Sequence, residues 1–180
     1  MQTKLKYFKV LEQKLNKNNM KMKHSTNEHY NGNKMYNKLA LMMVLSFIVM
    51  YILMYTMVDN LSNVFPNVNQ FYMAGLMTMA MIVLELAIMG GMYAKKKLNI
   101  ILIIVGCFIA AGFYFGIRMQ TGVSDRQFLR SMIPHHAAAI LMVENASLTD
   151  PEIKKLAQDI ITAQEAEITQ MKAKLNQMKK

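Results

Sequence analysis

LALMMVLSFIVMYILMYTMV, residues 39–58, decides the fold. Twenty residues without a charge, closed by Lys38 and Asp59, match the length an α-helix needs to cross the hydrocarbon core of a bilayer. Phe71 to Ala94 is a second apolar run, interrupted by Glu85, and Leu98 to Ile117 is a third, closed by Arg118. Three transmembrane helices are expected, over 39–58, 71–94 and 98–117. Only Lys95-Lys96-Lys97 joins the second to the third, so those two should form a tight antiparallel pair.

Composition agrees with this class. With 53% hydrophobic residues and a net charge of +10, the chain is too apolar for disorder and too basic for an ordinary soluble domain. Its single cysteine, Cys107, excludes an internal disulfide. The 20 Met residues are weak evidence for metal, because Met, Asn and Lys all have AT-rich codons. There is no nucleophile beside a base, no Gly-rich phosphate loop and no acid pair, so no enzyme activity is expected.

Residues 1–38 read as a basic cytoplasmic tail, partly disordered, with nine Lys against Glu12 and Glu28. Leu5, Phe8, Leu11 and Leu15 fall at helical spacing among lysines, either as a helix lying on an anionic leaflet or as a solvated one. His24 and His29 sit in solvated polar sequence. The tail abuts a span and has no interleaved aromatics beyond Tyr7 and Phe8, so lipid rather than nucleic acid is its expected partner. The tail and the triple lysine fall on one side of the membrane, whereas the loop Asp59 to Asn69 has no Lys or Arg. Cations remain cytoplasmic, which predicts a multi-pass protein of the bacterial plasma (inner) membrane with residues 119–180 extracytoplasmic.

Within the spans, Met50, Met54 and Met57 form one helical stripe, and Met73, Met77 and Met81 form another. Each is either packing or a path for a soft cation. Glu85 falls near mid-bilayer, as a functional acid or as a protonated one making an interhelical hydrogen bond. Gly106, Ala110, Gly112 and Gly116 permit close helix approach.

After Thr121-Gly122, Ser124 and Gln127 have the spacing of a capping box opening a helix to about Ala146. Pro134 lies inside it and implies a kink before His135 and His136. Asp150 and Pro151 then cap and open a second long helix. A hairpin of about 60 residues buries too little alone, so self-association into a four-helix bundle is expected, with docking on the membrane helices as the alternative.

Met132, His135, His136, Met142 and Met171 are the candidate metal ligands, and Gln164 and Glu167 are the candidate groups behind them. Imidazole with thioether favours Cu(I) or Ag(I) over structural zinc or a di-iron centre. Adjacent histidines differ in direction by about 100° on a helix, so one is expected to meet Gln164 across the hairpin and the other to face a second chain. The competing interpretation is a polar bundle layer in which the histidines hydrogen-bond Gln164 and Glu167.

Asp125-x-x-Phe128-Leu129-x-x-Met132-Ile133-Pro134-His135-His136, Ala139-Ile140-x-Met142, Asp150-Pro151-Glu152-Ile153 and Ala163-Gln164-x-x-Glu167-Ile168-x-x-Met171 resemble the family called domain of unknown function 305. The resemblance covers about residues 118–178. It implies a ferritin-like helical bundle outside the cytoplasm, in a family where some members are implicated in copper binding. A membrane-anchored, homo-oligomeric copper-binding protein is the functional expectation, and a structural or envelope-stress protein the alternative.

Overall fold

The structure, a computed structural model, describes residues 14, 15, 17 and 34–178. Of the expected basic helix, Lys14, Leu15 and Lys17 are helical and exposed. Leu5, Phe8, Leu11, His24, His29 and the proposed disorder of the tail lie outside the described residues.

Among the described residues there are five long helices and no strand. The first three, α1 (Lys34–Met57), α2 (Val68–Ile88) and α3 (Lys96–Arg118), are each long and apolar enough to cross a membrane. α4 (Asp125–Glu144) and α5 (Pro151–Gln177) form the hairpin. α1 starts before its charge-free run because the residues there have partners. Leu39 is buried with Ile82, Leu86 and Tyr93, and Met35 and Tyr36 pack around them. Its last turn, Met54–Met57, tightens to a 3-10 helix.

α2 stops at Ile88, six residues short of the expected end. Hydropathy continues through Met92, but Gly90-Gly91 favour a turn over helix, and Gly90–Met92 form a 3-10 turn. Glu85 therefore lies about 5 Å from the helix end rather than near the middle of its helix. Its Oε1 accepts a hydrogen bond from Tyr93 Oη at 2.6 Å, in the turn after its own helix rather than from another span. Burial, then the Glu85 carboxylate, push the Tyr93 phenol up to about 12, so it remains a donor. Tyr36 completes this end: its hydroxyl lies 2.5 Å from Asn99 Oδ1, and its ring packs on Tyr93 with centroids 5.4 Å apart.

Small residues bring α2 and α3 together. A Cβ on Gly75 would come within 2.6 Å of the Phe113 ring, and one on Gly106 within 2.9 Å of Val83 Cγ2. Gly116 faces the Tyr72 ring, whereas Gly112 faces open space, so the Gly112–Gly116 step is not used as a pair within the chain. Met73 and Met77 are exposed, away from the buried face of Ala74, Gly75, Thr78, Ile82 and Leu86. The outer face of α3, with Ile100, Ile104, Phe108 and Phe115, is likewise exposed and uniformly apolar, which suits lipid.

At the hairpin end a polar collar fixes the hairpin on the spans. Tyr72 Oη donates to the Thr121 carbonyl at 2.8 Å, and Asn69 and Gln120 exchange amide hydrogen bonds at 3.1 and 3.2 Å. Buried Asn67 caps α2, its Oδ1 accepting from Gln70 N at 2.9 Å. Its Nδ2 donates to the Phe65 carbonyl, to Gln70 Oε1 and, at 3.5 Å, to the Arg130 carbonyl. That carbonyl is the one Pro134 deprives of its helical donor.

The expected capping box at Ser124 does not form. Ser124 is the N-cap without a side-chain bond, and Gln127 Oε1 instead accepts from Val68 N at 3.3 Å. Asp150 does cap α5, accepting from Glu152 N at 2.8 Å and Ile153 N at 3.1 Å, with Pro151 in the first turn. The hairpin core is Ile133, Ala137, Ile140, Ile168 and Leu175, and Val58 and Phe65 of the α1–α2 loop pack on it. The chain thus covers part of the hairpin's apolar face itself, while Phe128, Met142, Ile153 and Leu156 stay exposed.

Candidate metal centre

His136 sits at the middle of α4, buried between the helices of the hairpin. Its Nδ1 lies 2.9 Å from the Met132 carbonyl one turn earlier. A carbonyl only accepts, so this nitrogen carries a proton and the ring is held with Nε2 directed at α5. Nε2 lies 2.6 Å from Glu167 Oε2. Lone pair and carboxylate repel at that separation, so the two share a proton, and a metal ion, at about 2.0 Å from each donor, would replace that proton from one side of the pair rather than on the line between them. The His136 side chain is 11% exposed and that of Glu167 55%, so a cation would enter from the Glu167 side.

His135 is exposed, its ring centroid 6.2 Å from that of His136 and its plane turned by 62°. Met142 is exposed near the end of α4. Met171 packs against the hairpin core. Met132 is half-buried, and its main chain rather than its sulfur carries the contact described above. Gln164 is half-buried and, among the described residues, makes no side-chain hydrogen bond, so Glu167 rather than Gln164 meets His136 across the hairpin.

Among the described residues no three or more His, Cys, Asp or Glu are grouped so as to hold a metal. The donors brought together are an imidazole nitrogen and a carboxylate oxygen, with the imidazole oriented by a backbone carbonyl as metal-ligating histidines commonly are.

Sequence reasoning missed Asn67, which sets the α4 main chain two turns before His136. The signal was present: Asn67-x-x-Gln70 directly precedes an apolar run, and Asn and Gln at that spacing open a helix. It also missed the cations Arg126 and Arg130 of α4 and Lys172 of α5, which lie at the open end of the hairpin.

The profile of the family "Domain of unknown function (DUF305)" matches residues 117–175, the whole of α4 and nearly all of α5. An uncharacterized protein of Acanthamoeba polyphaga mimivirus is 36% identical over 124 residues, covering 67% of this chain and 79% of the viral one. That alignment is longer than the hairpin, so it also takes in membrane-helix sequence. No solved structure matches the chain. The hairpin motifs around His136 and Glu167 and the extent of these matches place the chain in the family of domain of unknown function 305.

Proposed function

We propose that the protein is a membrane-anchored metal-handling protein whose hairpin takes up copper at His136 Nε2 and Glu167, in exchange for the proton they share. One observation carries the proposal: a histidine fixed by its Nδ1 proton directs its other nitrogen at a carboxylate 2.6 Å away. Of the common divalent first-row ions, copper binds imidazole most strongly. A carboxylate as second donor favours Cu(II), whereas the sequence alone pointed to Cu(I) or Ag(I). The nine lysines of the tail and the three between α2 and α3, against a cation-free loop 59–69, favour a cytoplasmic N-terminus and an extracytoplasmic hairpin in a plasma membrane.

Copper titration of the whole chain in uncharged detergent tests the proposal. His136→Gln is expected to weaken binding by about tenfold or more, the loss of one of two protein donors, while His135→Ala leaves it nearly unchanged. Equal affinity of wild type and His136→Gln overturns the assignment.

A second interpretation draws on the same pair. With a proton as the shared cation, both ring nitrogens are satisfied within the chain and His136–Glu167 is a clamp between helices. Exposed Phe128, Met142, Ile153 and Leu156 then supply a face for a second copy, in keeping with a bundle built by self-association. It predicts cross-linking that persists in metal chelator and in His136→Gln.

A further inference from the structure

A second polar feature lies at the open end of the hairpin, where α4 begins and α5 ends. A cavity of about 340 Å³ separates these helix ends from the α1–α2 loop. That volume is within the range of small-ligand sites. Three cations line it, Arg126 and Arg130 from α4 and Lys172 from α5, and among the described residues no carboxylate does. Arg126 donates to the Met178 carbonyl, and Lys172 Nζ lies 3.3 Å from Ser62 Oγ. Among the described residues none of the three is paired with an acid. The nearest acid of the loop, Asp59, is already engaged by Asn60 N at 2.6 Å and Asn63 Nδ2 at 2.7 Å.

Three like charges converging on one cleft repel, and an anion there converts that repulsion into charge-assisted hydrogen bonds. Arg offers the planar fork that fits two oxygens of one phosphate, and Lys adds a point charge. Ser62 and Asn176 supply neutral polar groups at the rim, and Phe65 gives the cleft an apolar side. Position adds to chemistry. Ser62 and Phe65 belong to the loop joining two membrane-spanning helices, and Arg126 follows the end of α3 by eight residues, so the cleft opens at headgroup level.

We propose that this cleft binds a phosphate-bearing anion at the membrane surface, with Arg126, Arg130 and Lys172 holding its oxygens. The site is separate from His136, which lies about 9 Å further along α4 than Arg130. Its failure would leave the copper proposal untouched. Phosphate can arrive as the headgroup of an anionic lipid or as a free ion, and the experiment separates the two.

The whole chain in uncharged detergent is tested by native mass spectrometry with phosphatidylglycerol against phosphatidylcholine, and by thermal unfolding with inorganic phosphate against chloride. Retention of phosphatidylglycerol without a phosphate shift identifies a lipid site, and a phosphate-specific rise in melting temperature identifies a free-ion site. Absence of both responses overturns the proposal. Arg130→Gln with Lys172→Gln is expected to weaken whichever probe binds by about a hundredfold, tenfold for each charge-assisted contact removed. Unchanged binding overturns the proposal as well. Should that variant fail to fold, protection of Lys172 from amine acylation in the wild type decides. Protection by the bound probe supports the site, and equal labelling with and without it refutes it.

Discussion

Removing Asn67 should loosen the seat of the candidate centre without touching it. Asn67→Ala deletes the cap on Gln70 N, worth about 1 kcal/mol. It also leaves the Phe65 and Arg130 carbonyls without their side-chain donor. The first bond is 3.0 Å and the second a long 3.5 Å, so together they add about 1 kcal/mol. A total near 2 kcal/mol corresponds to roughly thirtyfold faster hydrogen exchange where the collar must open to expose the amides. Exchange of the whole chain in detergent, followed on peptides from the start of α2 and from residues 125–137, measures this. Pro134→Ala offers an internal check, because an alanine at 134 restores an N–H that can reach the Arg130 carbonyl. In that background Asn67→Ala should cost less by up to about 0.5 kcal/mol, the smaller share that falls to the long bond. Exchange within threefold of wild type in Asn67→Ala, or equal costs in both backgrounds, would refute the coupling of the α2 cap to the proline of α4.

Two further outcomes test the membrane part. Gly75→Ala should lower the thermal stability of the whole chain by about 1–3 kcal/mol, since its Cβ would meet the Phe113 ring at 2.6 Å, while Gly112→Ala, facing open space, should stay within about 0.5 kcal/mol. Equal effects would mean that α2 and α3 do not meet at Gly75. At the tail end, a folded-state Tyr93 pKa raised from 10.0 to about 12 means that the folded protein holds the proton longer than the unfolded chain. The stabilisation is complete below pH 10 and declines as pH rises from 10 to about 12. Unfolding midpoints across that window should fall more steeply in wild type than in Tyr93→Phe, and parallel slopes would remove Tyr93 as the cause.

Most of the architecture was legible because it rests on length and on local caps. A charge-free run of twenty residues leaves few alternatives to a span, and Asp150-Pro151 opens α5 as its chemistry requires. The end of α2 was not legible from hydropathy, because Met89 and Met92 extend the apolar run across a glycine turn. The Ser124 cap failed for a tertiary reason: Gln127 is drawn to the free N–H of Val68, a partner 59 residues away. The direction of the two histidines was partly legible. Their divergence follows from helix geometry, but whether Gln164 or Glu167 faces His136 depends on how the hairpin closes, and residue spacing does not set that. The role of each methionine was not legible either, since a thioether serves equally as ligand and as core packing. Met171 is used in the second way.

Electron paramagnetic resonance of the whole chain in detergent, loaded with one equivalent of Cu(II), tests the central claim most directly. Hyperfine coupling to an imidazole nitrogen that persists in His135→Ala and disappears in His136→Gln is the predicted result. Coupling that survives in His136→Gln, or no nitrogen coupling in the wild type, would contradict it.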